Sequence, residues 1–434
     1  MTFWTQIATT YGGIARVPLK GRHVYLISDP DLLYELLVTK RQNYRKNIRY
    51  KAAVDTFGEG LLLAEGDTWK RQRRIAQPTF KADYIRLQIP AMAALTHRLL
   101  QQWTDSATTR RDVDGDFLRL TQLQAGHYLM GPGFDQIEER FYAAAIAVKD
   151  NWPLPPRSLP ALYLRKSKQR SVRLDRAVKA VDACVFQYLA KHRKTDFENC
   201  GVLSVLVSAS RDQGDEFDDQ SLRDQLLSLF FAGHETSATS LCWIHYLLSE
   251  HRDVRARLQL EVHDVLGTNT PTASDLDSLE YTEQVINETL RLYSPIHSIS
   301  RVALEDDRIG GYDIPAGSMI YVSLYATHRI PEIWPDPDQF NPDRFTPELI
   351  AQRPRFAFIP FAAGHRNCVG ATMAIAELKL IVAQIAQHFV LDVSPGHRVE
   401  AAAGTTMYPR YGMNMLIRST EHAQAAATSW PASH

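Results

Sequence analysis

The sequence predicts a mainly α fold with a smaller β-rich lobe, and three observations carry that prediction. From about Tyr84 to Leu266 apolar residues recur at helical spacing with few interruptions. Three stretches with strand-like alternation, Gly13 to Asp29, Ile309 to Ser323 and Val399 to Arg418, lie far apart in the chain and must meet to build a sheet. Pro331, Pro335, Pro337 and Pro342 fall close together, which excludes both a helix and a central strand and leaves a long extended segment.

In chain order, the first alternating stretch turns around Lys20-Gly21-Arg22 and reads as a strand, a tight turn and a returning strand. Ser28 and Asp29 then offer a cap ahead of Pro30, and Leu32, Leu33, Leu36 and Leu37 have helical spacing, giving a first helix. The helical middle is broken by a loop at Pro153, Pro155, Pro156 and Pro160 and by a polar link from Asp212 to Asp219. The second β stretch has turn signals at Gly310-Gly311 and Pro315-Ala316-Gly317, and the third reads as a terminal hairpin. No repeat or linker divides the chain, so one domain over residues 1–420 is expected, with 421–434 as a frayed tail.

Composition narrows the function classes. The 434 residues are 45% hydrophobic and 23% charged, which excludes a disordered or fibrous chain. Lys plus Arg and Asp plus Glu both number 49, so no net field gathers nucleic acid. Cys184, Cys200, Cys242 and Cys368 are too sparse for a disulfide framework and lack zinc-site spacing, so a reducing cytoplasm is expected. Met1 to Lys20 contains no apolar signal core, and no apolar run approaches the ~20 residues of a spanning helix, so neither an anchor nor a membrane span is expected.

The chemistry concentrates around one cysteine. In Phe361-Ala-Ala-Gly-His-Arg-Asn-Cys368-Val-Gly370 the cysteine ends a glycine-punctuated loop just before a helical pattern through Ala376, Leu380, Ala383 and Phe389. A helix N-terminus lowers a thiol's pKa, and Gly364 and Gly370 let the backbone approach a bulky flat partner. The spacing F-x-x-G-x-R-x-C-x-G resembles the haem-ligand signature of the cytochrome P450 family at all its fixed positions. Upstream, Ala232-Gly233-x-Glu235-Thr236-Ser237 is similar to the family's oxygen-binding stretch. Physically, Gly233 followed by an acid and a hydroxyl is expected to open the helix ladder locally into a groove. Glu288-Thr-Leu-Arg291, with Arg344 in Phe340-Asn-Pro-Asp-Arg344-Phe345, resembles the family's buried structural network.

The resemblance covers about Tyr11 to Arg418 and implies a fold holding haem b, iron protoporphyrin IX, between a long central helix and the cysteine loop. It implies Cys368 as the iron ligand, with Phe361, Gly370, Ala232 and Gly233 against the cofactor. Trp69, Arg73, Arg301 and Arg366 fall where the family holds haem propionates, and Arg suits that task through its forked donors. Glu235 and Thr236 match the acid and alcohol that deliver protons to O2. The implied activity is a monooxygenase that hydroxylates or epoxidises a hydrophobic small molecule such as a terpenoid, fatty acid or polyketide. The pocket positions carried over are Leu229, Ala232, Ile296, Ser298, Thr406 and Met407. Two departures stand out: Ala362 and Ala363 occupy places often held by Gly or Ser, and Ser294 stands where Pro is frequent.

Nothing in the chain resembles a flavin- or nicotinamide-binding unit or an iron–sulfur cysteine run, so NAD(P)H electrons must arrive through a separate ferredoxin or flavodoxin with its reductase. Lys70, Arg71 and Arg74 around Trp69, with Arg353, Arg355 and His365, are candidates for a basic docking face. Two alternatives remain open at this point. A haem-binding ligand or gas sensor would need Cys368 but not Thr236, and a peroxide-driven haem-thiolate enzyme would keep the ligand without a redox partner.

Overall fold

The computed structural model describes residues 2–19, 22–46, 51–106, 109–151, 160–195, 197, 200–212 and 217–420. The chain begins with α1 (Thr2–Tyr11), β1 (Ile14–Leu19), β2 (Arg22–Ile27), α2 (Pro30–Tyr34), β3 (Tyr44–Lys46), α3 (Lys51–Phe57) and α4 (Gly66–Ala76). It continues through α5 (Ala82–Thr104), β4 (Arg110–Asp112), α6 (Val113–Met130), α7 (Glu138–Asn151), α8 (Pro160–His192), α9 (Val202–Asp212) and α10 (Asp219–Glu250). Next come α11 (Arg252–Leu266), α12 (Ala273–Ser278), α13 (Glu280–Leu292), β5 (Ser298–Ala303), β6 (Asp307–Ile309), β7 (Tyr312–Ile314), β8 (Met319–Ser323) and α14 (Leu324–Thr327). The chain closes with α15 (Pro347–Gln352), α16 (Ala371–His388), β9 (Phe389–Val393), β10 (Ala401–Ala403), β11 (Met407–Pro409) and β12 (Asn414–Ser419).

The helical middle and the three strand regions are as the periodicity predicts. The turn at residues 20–21, most of the proline loop and the tail 421–434 lie outside the described residues. Four local differences have physical causes. Helix α1 precedes the strands, although its Thr-rich sequence has little helical propensity; Trp4 stacks on Tyr321 of β8 at 4.4 Å, so tertiary packing holds it. Strand β5 has no clear strand signal in the sequence because Arg301 interrupts its apolar pattern, yet it pairs with both β8 and β3. Short β4 interrupts the helical middle by pairing with β12. The terminal hairpin is only β10 with β11, while β12 joins β9 and β4 in a separate sheet.

The described chain forms two compact units. The first comprises Met1–Ile48, Ala82–Leu120 and Thr236–His434, and the second Arg49–Lys81 and Thr121–Glu235. In the first unit a five-stranded sheet has the order β1-β2-β8-β5-β3, with β2 and β8 parallel and Val24 opposite Met319. Leu33, Leu36 and Leu37 pack on its Ile27, Ile320 and Val322 in one core cluster that also takes Phe356 and Ile359. That contact anchors the chain leading into the cysteine loop against the sheet. Asp29 Oδ1 caps α2, accepting from Asp31 N at 2.9 Å and Leu32 N at 3.0 Å. The turn that follows, Glu35–Thr39, is a π-helix.

In the second unit, Arg223 ties three segments together: its guanidinium pairs with Asp182 at 2.7 Å and Asp224 at 3.0 Å and donates to the Thr56 carbonyl at 3.0 Å. Edge-to-face rings run from Phe134 to Phe141 to Phe230, with centroids 5.7 and 4.7 Å apart. No helix among the described residues is long and apolar enough to cross a membrane.

Candidate active site

The cysteine loop takes its shape from backbone bonds and two left-handed residues. Ala362 N donates to Ile359 O at 3.0 Å, Asn367 N to Gly364 O at 3.2 Å, and Cys368 N to Phe361 O at 2.9 Å. The last bond closes the loop and leaves Cys368 exposed, unlike Cys184, Cys200 and Cys242, which are buried. None of the four is in a disulfide. Helix α16 starts two residues past Val369, with Gly370 at its N-cap and no side chain satisfying the first amides. Those unpaired N–H groups and the helix dipole favour negative charge beside the sulfur.

Gly364 has φ +73°, and a Cβ there would lie 2.3 Å from the Leu37 carbonyl oxygen of the π-turn. Its glycine is therefore demanded by the loop's seat on residue 37, a reason different from the approach of a flat partner. Ala362 adopts φ +54°, a conformation that suits glycine better.

Arg301 and Arg366 line one recess with Leu36, Leu37, Arg41, Tyr44, Ala363 and His365. Arg301 is buried and donates to the Ser300 carbonyl at 2.9 Å. Partial desolvation of the His365 ring, reinforced by Arg366, Arg41 and Arg301, pushes its pKa below the usual histidine value. The recess is thus strongly electropositive. No motif links the turn at residue 41 to the cysteine loop, so the sequence does not place Arg41 and Tyr44 here, and it offers His365 only as a docking cation.

Trp69 and Arg73 line a surface groove with Lys70, Arg74, Gln77, Pro78 and Lys81. Lys70 is already paired with Asp67 at 2.8 Å. Two of the candidate docking cations do other work. Arg353 lies over Trp334 at 4.1 Å and Phe345 at 4.9 Å, and burial lowers its pKa to about 10. His365 belongs to the recess just described.

Helix α10 runs unbroken from Asp219 to Glu250, so the expected opening of its ladder at Gly233 does not occur. Small side chains instead leave this face of the helix open. Ala232 and Gly233 are exposed between buried Phe230 and His234, and a Cβ on Gly233 would meet nothing within 4 Å. Glu235 and Thr236 are half-buried, and the Thr236 carbonyl accepts from Ser240 Oγ at 2.9 Å. His234 is buried and neutral: burial lowers its pKa to about 4, and its Nδ1 lies 2.7 Å from the Phe230 carbonyl.

Among the candidate pocket residues, Ile296 and Ser298 are half-buried and Leu229 is almost fully buried. Met407 N donates to the Pro295 carbonyl at 2.8 Å, which brings Thr406 and Met407 beside the 295–298 segment. Met407 itself is 0% exposed, and its carbonyl accepts from Trp243 Nε1 at 2.9 Å. It is a core clamp rather than a pocket wall, a difference that sequence position alone could not show.

The structure brings Glu288, Arg291 and Arg344 together. Glu288 and Arg291 are fully buried and doubly bonded at 2.7 and 2.8 Å. Arg291 also donates to the carbonyls of His328, Pro337 and Gln339, and Asn341 N donates to Glu288 at 2.9 Å. Arg344 stands 3.4 Å from Glu288 and donates to the Asp336 carbonyl. Ser294 Oγ donates to the Ile296 carbonyl at 3.0 Å, turning the chain where proline is frequent.

These residues fit a haem. The exposed Cys368 sulfur at the end of its loop is placed to ligate an iron held by a flat prosthetic group. The first turn of α16, from Ala371 to Ile375, is apolar apart from exposed Thr372 and otherwise half-exposed, as a flat apolar ring requires, and the arginine-rich recess suits carboxylates.

Comparison with known proteins agrees. A family model described as Cytochrome P450 matches residues 2–413. Cyclooctat-9-en-7-ol 5-monooxygenase of Streptomyces melanosporofaciens is 32% identical over 391 residues, covering 89% of this chain and 84% of that protein. Cyclooctatin synthase of the same organism is 30% identical over 397 residues, covering 90% of this chain and 85% of that protein. The crystal structure of cytochrome P450DA heme domain shares the fold, with a TM-score of 0.85 at 24% identity, covering 96% of this chain and 92% of that one. The family match over nearly the whole chain, together with these identities, shows that the protein belongs to the cytochrome P450 family and is a haem-dependent monooxygenase of it.

Proposed function

We propose that this protein hydroxylates a hydrophobic terpenoid, using O2 and electrons from a ferredoxin or flavodoxin with its NAD(P)H-dependent reductase. The observation that carries the chemistry is the exposed Cys368 sulfur, presented by a loop that its own amide closes on Phe361. Haem bound there supplies dioxygen activation, which a thiolate ligand favours over reversible oxygen carriage. Phe361 and Gly370 flank the ligand, and Arg301 and Arg366 bind carboxylates in their recess. Trp69 and Arg73 are assigned the same propionate-binding role, and Ala232 and Gly233 supply small residues on the open face of α10. Glu235 and Thr236 Oγ1 are assigned the ordered delivery of protons to the site.

The terpenoid class is supported by the relatives, one of them named for acting on cyclooctat-9-en-7-ol, and by the apolar character of Leu229 and Ile296. The four undisulfided cysteines support a reducing cytoplasm as its location.

The test is the absorption spectrum of the reduced, carbon-monoxide-treated protein beside that of Cys368→Ser. A strongly red-shifted Soret band, lost in the variant, is expected; a band typical of histidine ligation would overturn the assignment. Titration with cyclic diterpene alcohols should then displace water from the ferric iron, and no spectral shift with any of them would reject the substrate class. Charge reversal at Lys70 and Arg74 should weaken ferredoxin-supported turnover, with a loss that grows at low ionic strength. Unchanged turnover would remove the groove as a docking face.

A further inference from the structure

Helix α16 carries a carboxyl that none of these roles uses. Glu377 is 6% exposed and hydrogen-bonds Ser237 Oγ of α10 through Oε2. Ser237 directly follows Thr236. Glu288 is as deeply buried, but Arg291 neutralises it. No ion pair reaches Glu377 among the described residues, so burial there favours the protonated acid.

The charged groups of the packed elements are engaged elsewhere. On α13, Glu283 pairs with Lys379 at 2.8 Å, and on α12 Asp277 pairs with Arg86 of α5. On α11, Glu261 accepts from Tyr281 N and Thr282 N, and Arg255 pairs with Asp392 of β9 at 2.6 Å. On α5, His97 acts on His388 at the far end of α16, and on α10 His245 stacks against Phe117. Burial, opposed only by the Ser237 bond, raises the Glu377 pKa to about 7.

We propose that Glu377 is a positioning residue for the Thr236 turn of α10, and that its proton sets the direction of the hydrogen bond it shares with Ser237. Ionised Glu377 can only accept, so the Ser237 hydroxyl must point at it. Protonated Glu377 donates to Ser237 Oγ and frees the serine hydrogen for another acceptor on α10. Passing from the ionised to the protonated state takes up one proton from solvent, and the hydrogen bond between the two oxygens persists with donor and acceptor exchanged. The two states present different hydroxyl orientations one residue from the group assigned to proton delivery. This inference rests on the monooxygenase reading for its consequence in turnover, but not for the state of the carboxyl.

The test uses the full-length protein with Glu377→Gln, Glu377→Leu and Ser237→Ala. Infrared difference spectra should show the carbonyl stretch of a protonated carboxylic acid that fades as pH rises through about 7. The band should be absent in Glu377→Gln and displaced in Ser237→Ala. Glu377→Gln keeps a neutral hydrogen-bonding amide, so the fraction of reducing equivalents appearing in product should lose its pH inflection near neutrality. Glu377→Leu should lower that fraction about fivefold at every pH, the factor an ordinary hydrogen bond carries. A missing infrared band in the parent protein at pH 6, or superimposable pH profiles for the parent and Glu377→Gln, would overturn the proposal. Loss of the carbon-monoxide thiolate band in the parent would instead defeat the monooxygenase reading, while the infrared result would still report on Glu377.

Discussion

Ala362 occupies the left-handed region at φ +54°, where a Cβ crowds the following carbonyl. Replacing it with glycine relieves that strain but frees the unfolded chain, so Ala362→Gly should stabilise the protein by about 0.5–1 kcal/mol. Thermal unfolding of the haem-loaded protein measures this. Gly364→Ala should act oppositely, because φ +73° and a 2.3 Å approach to the Leu37 oxygen leave no room for the methyl. A loss of about 2 kcal/mol or more, with reduced haem incorporation, is expected. The sequence marked residue 364 as a necessary glycine and residue 362 as a departure. It could not name the Leu37 carbonyl, which reaches the loop only through the sheet-packed π-turn.

At the scale of elements, Glu288 and Arg291 illustrate how packing changes the value of a motif. On an exposed helix their spacing contributes a few tenths of a kcal/mol. Here both side chains are 0% exposed, and the guanidinium also binds the His328 carbonyl and two carbonyls of the proline-rich segment. Arg291→Ala would strand a buried carboxylate and should cost about 3–5 kcal/mol. Arg291→Lys should lose nearly as much, since an ammonium cannot span those acceptors. Denaturant titration of both variants checks the order; a cost below about 1 kcal/mol would contradict the network. Helix α10 makes a complementary point. Its motif is legible in the sequence, but the open face at that motif comes from the exposed Ala232 and Gly233 and not from a broken ladder.

For the whole molecule, buried titratable groups predict how stability responds to pH. Burial lowers His234 to about 4 and His245 and His328 to about 3. Their contribution is full above about 6.5, the unfolded value, and is lost as pH falls toward those folded values. Glu377 has the opposite sign: its contribution is full below about 4.5 and is lost as pH rises through about 7. Three histidines outweigh one acid, so stability should rise with pH between about 4.5 and 6.5, and His245→Phe should flatten that rise. Denaturant midpoints at several pH values read the slope, and an unchanged slope in the variant would count against a buried neutral His245. The sequence by itself determined the fold class, the family and the motifs around Cys368 and Thr236, because hydrophobic period and fixed motif spacing are local properties of the chain. Only the tertiary structure decided that α1 is a helix, that Met407 is a core clamp, that Arg41 and His365 join the arginine recess, and that Glu377 meets Ser237. Each of those depends on burial and on contacts between residues distant in sequence, and the free energy of a charge, a ring or a hydrogen bond is set by what surrounds it.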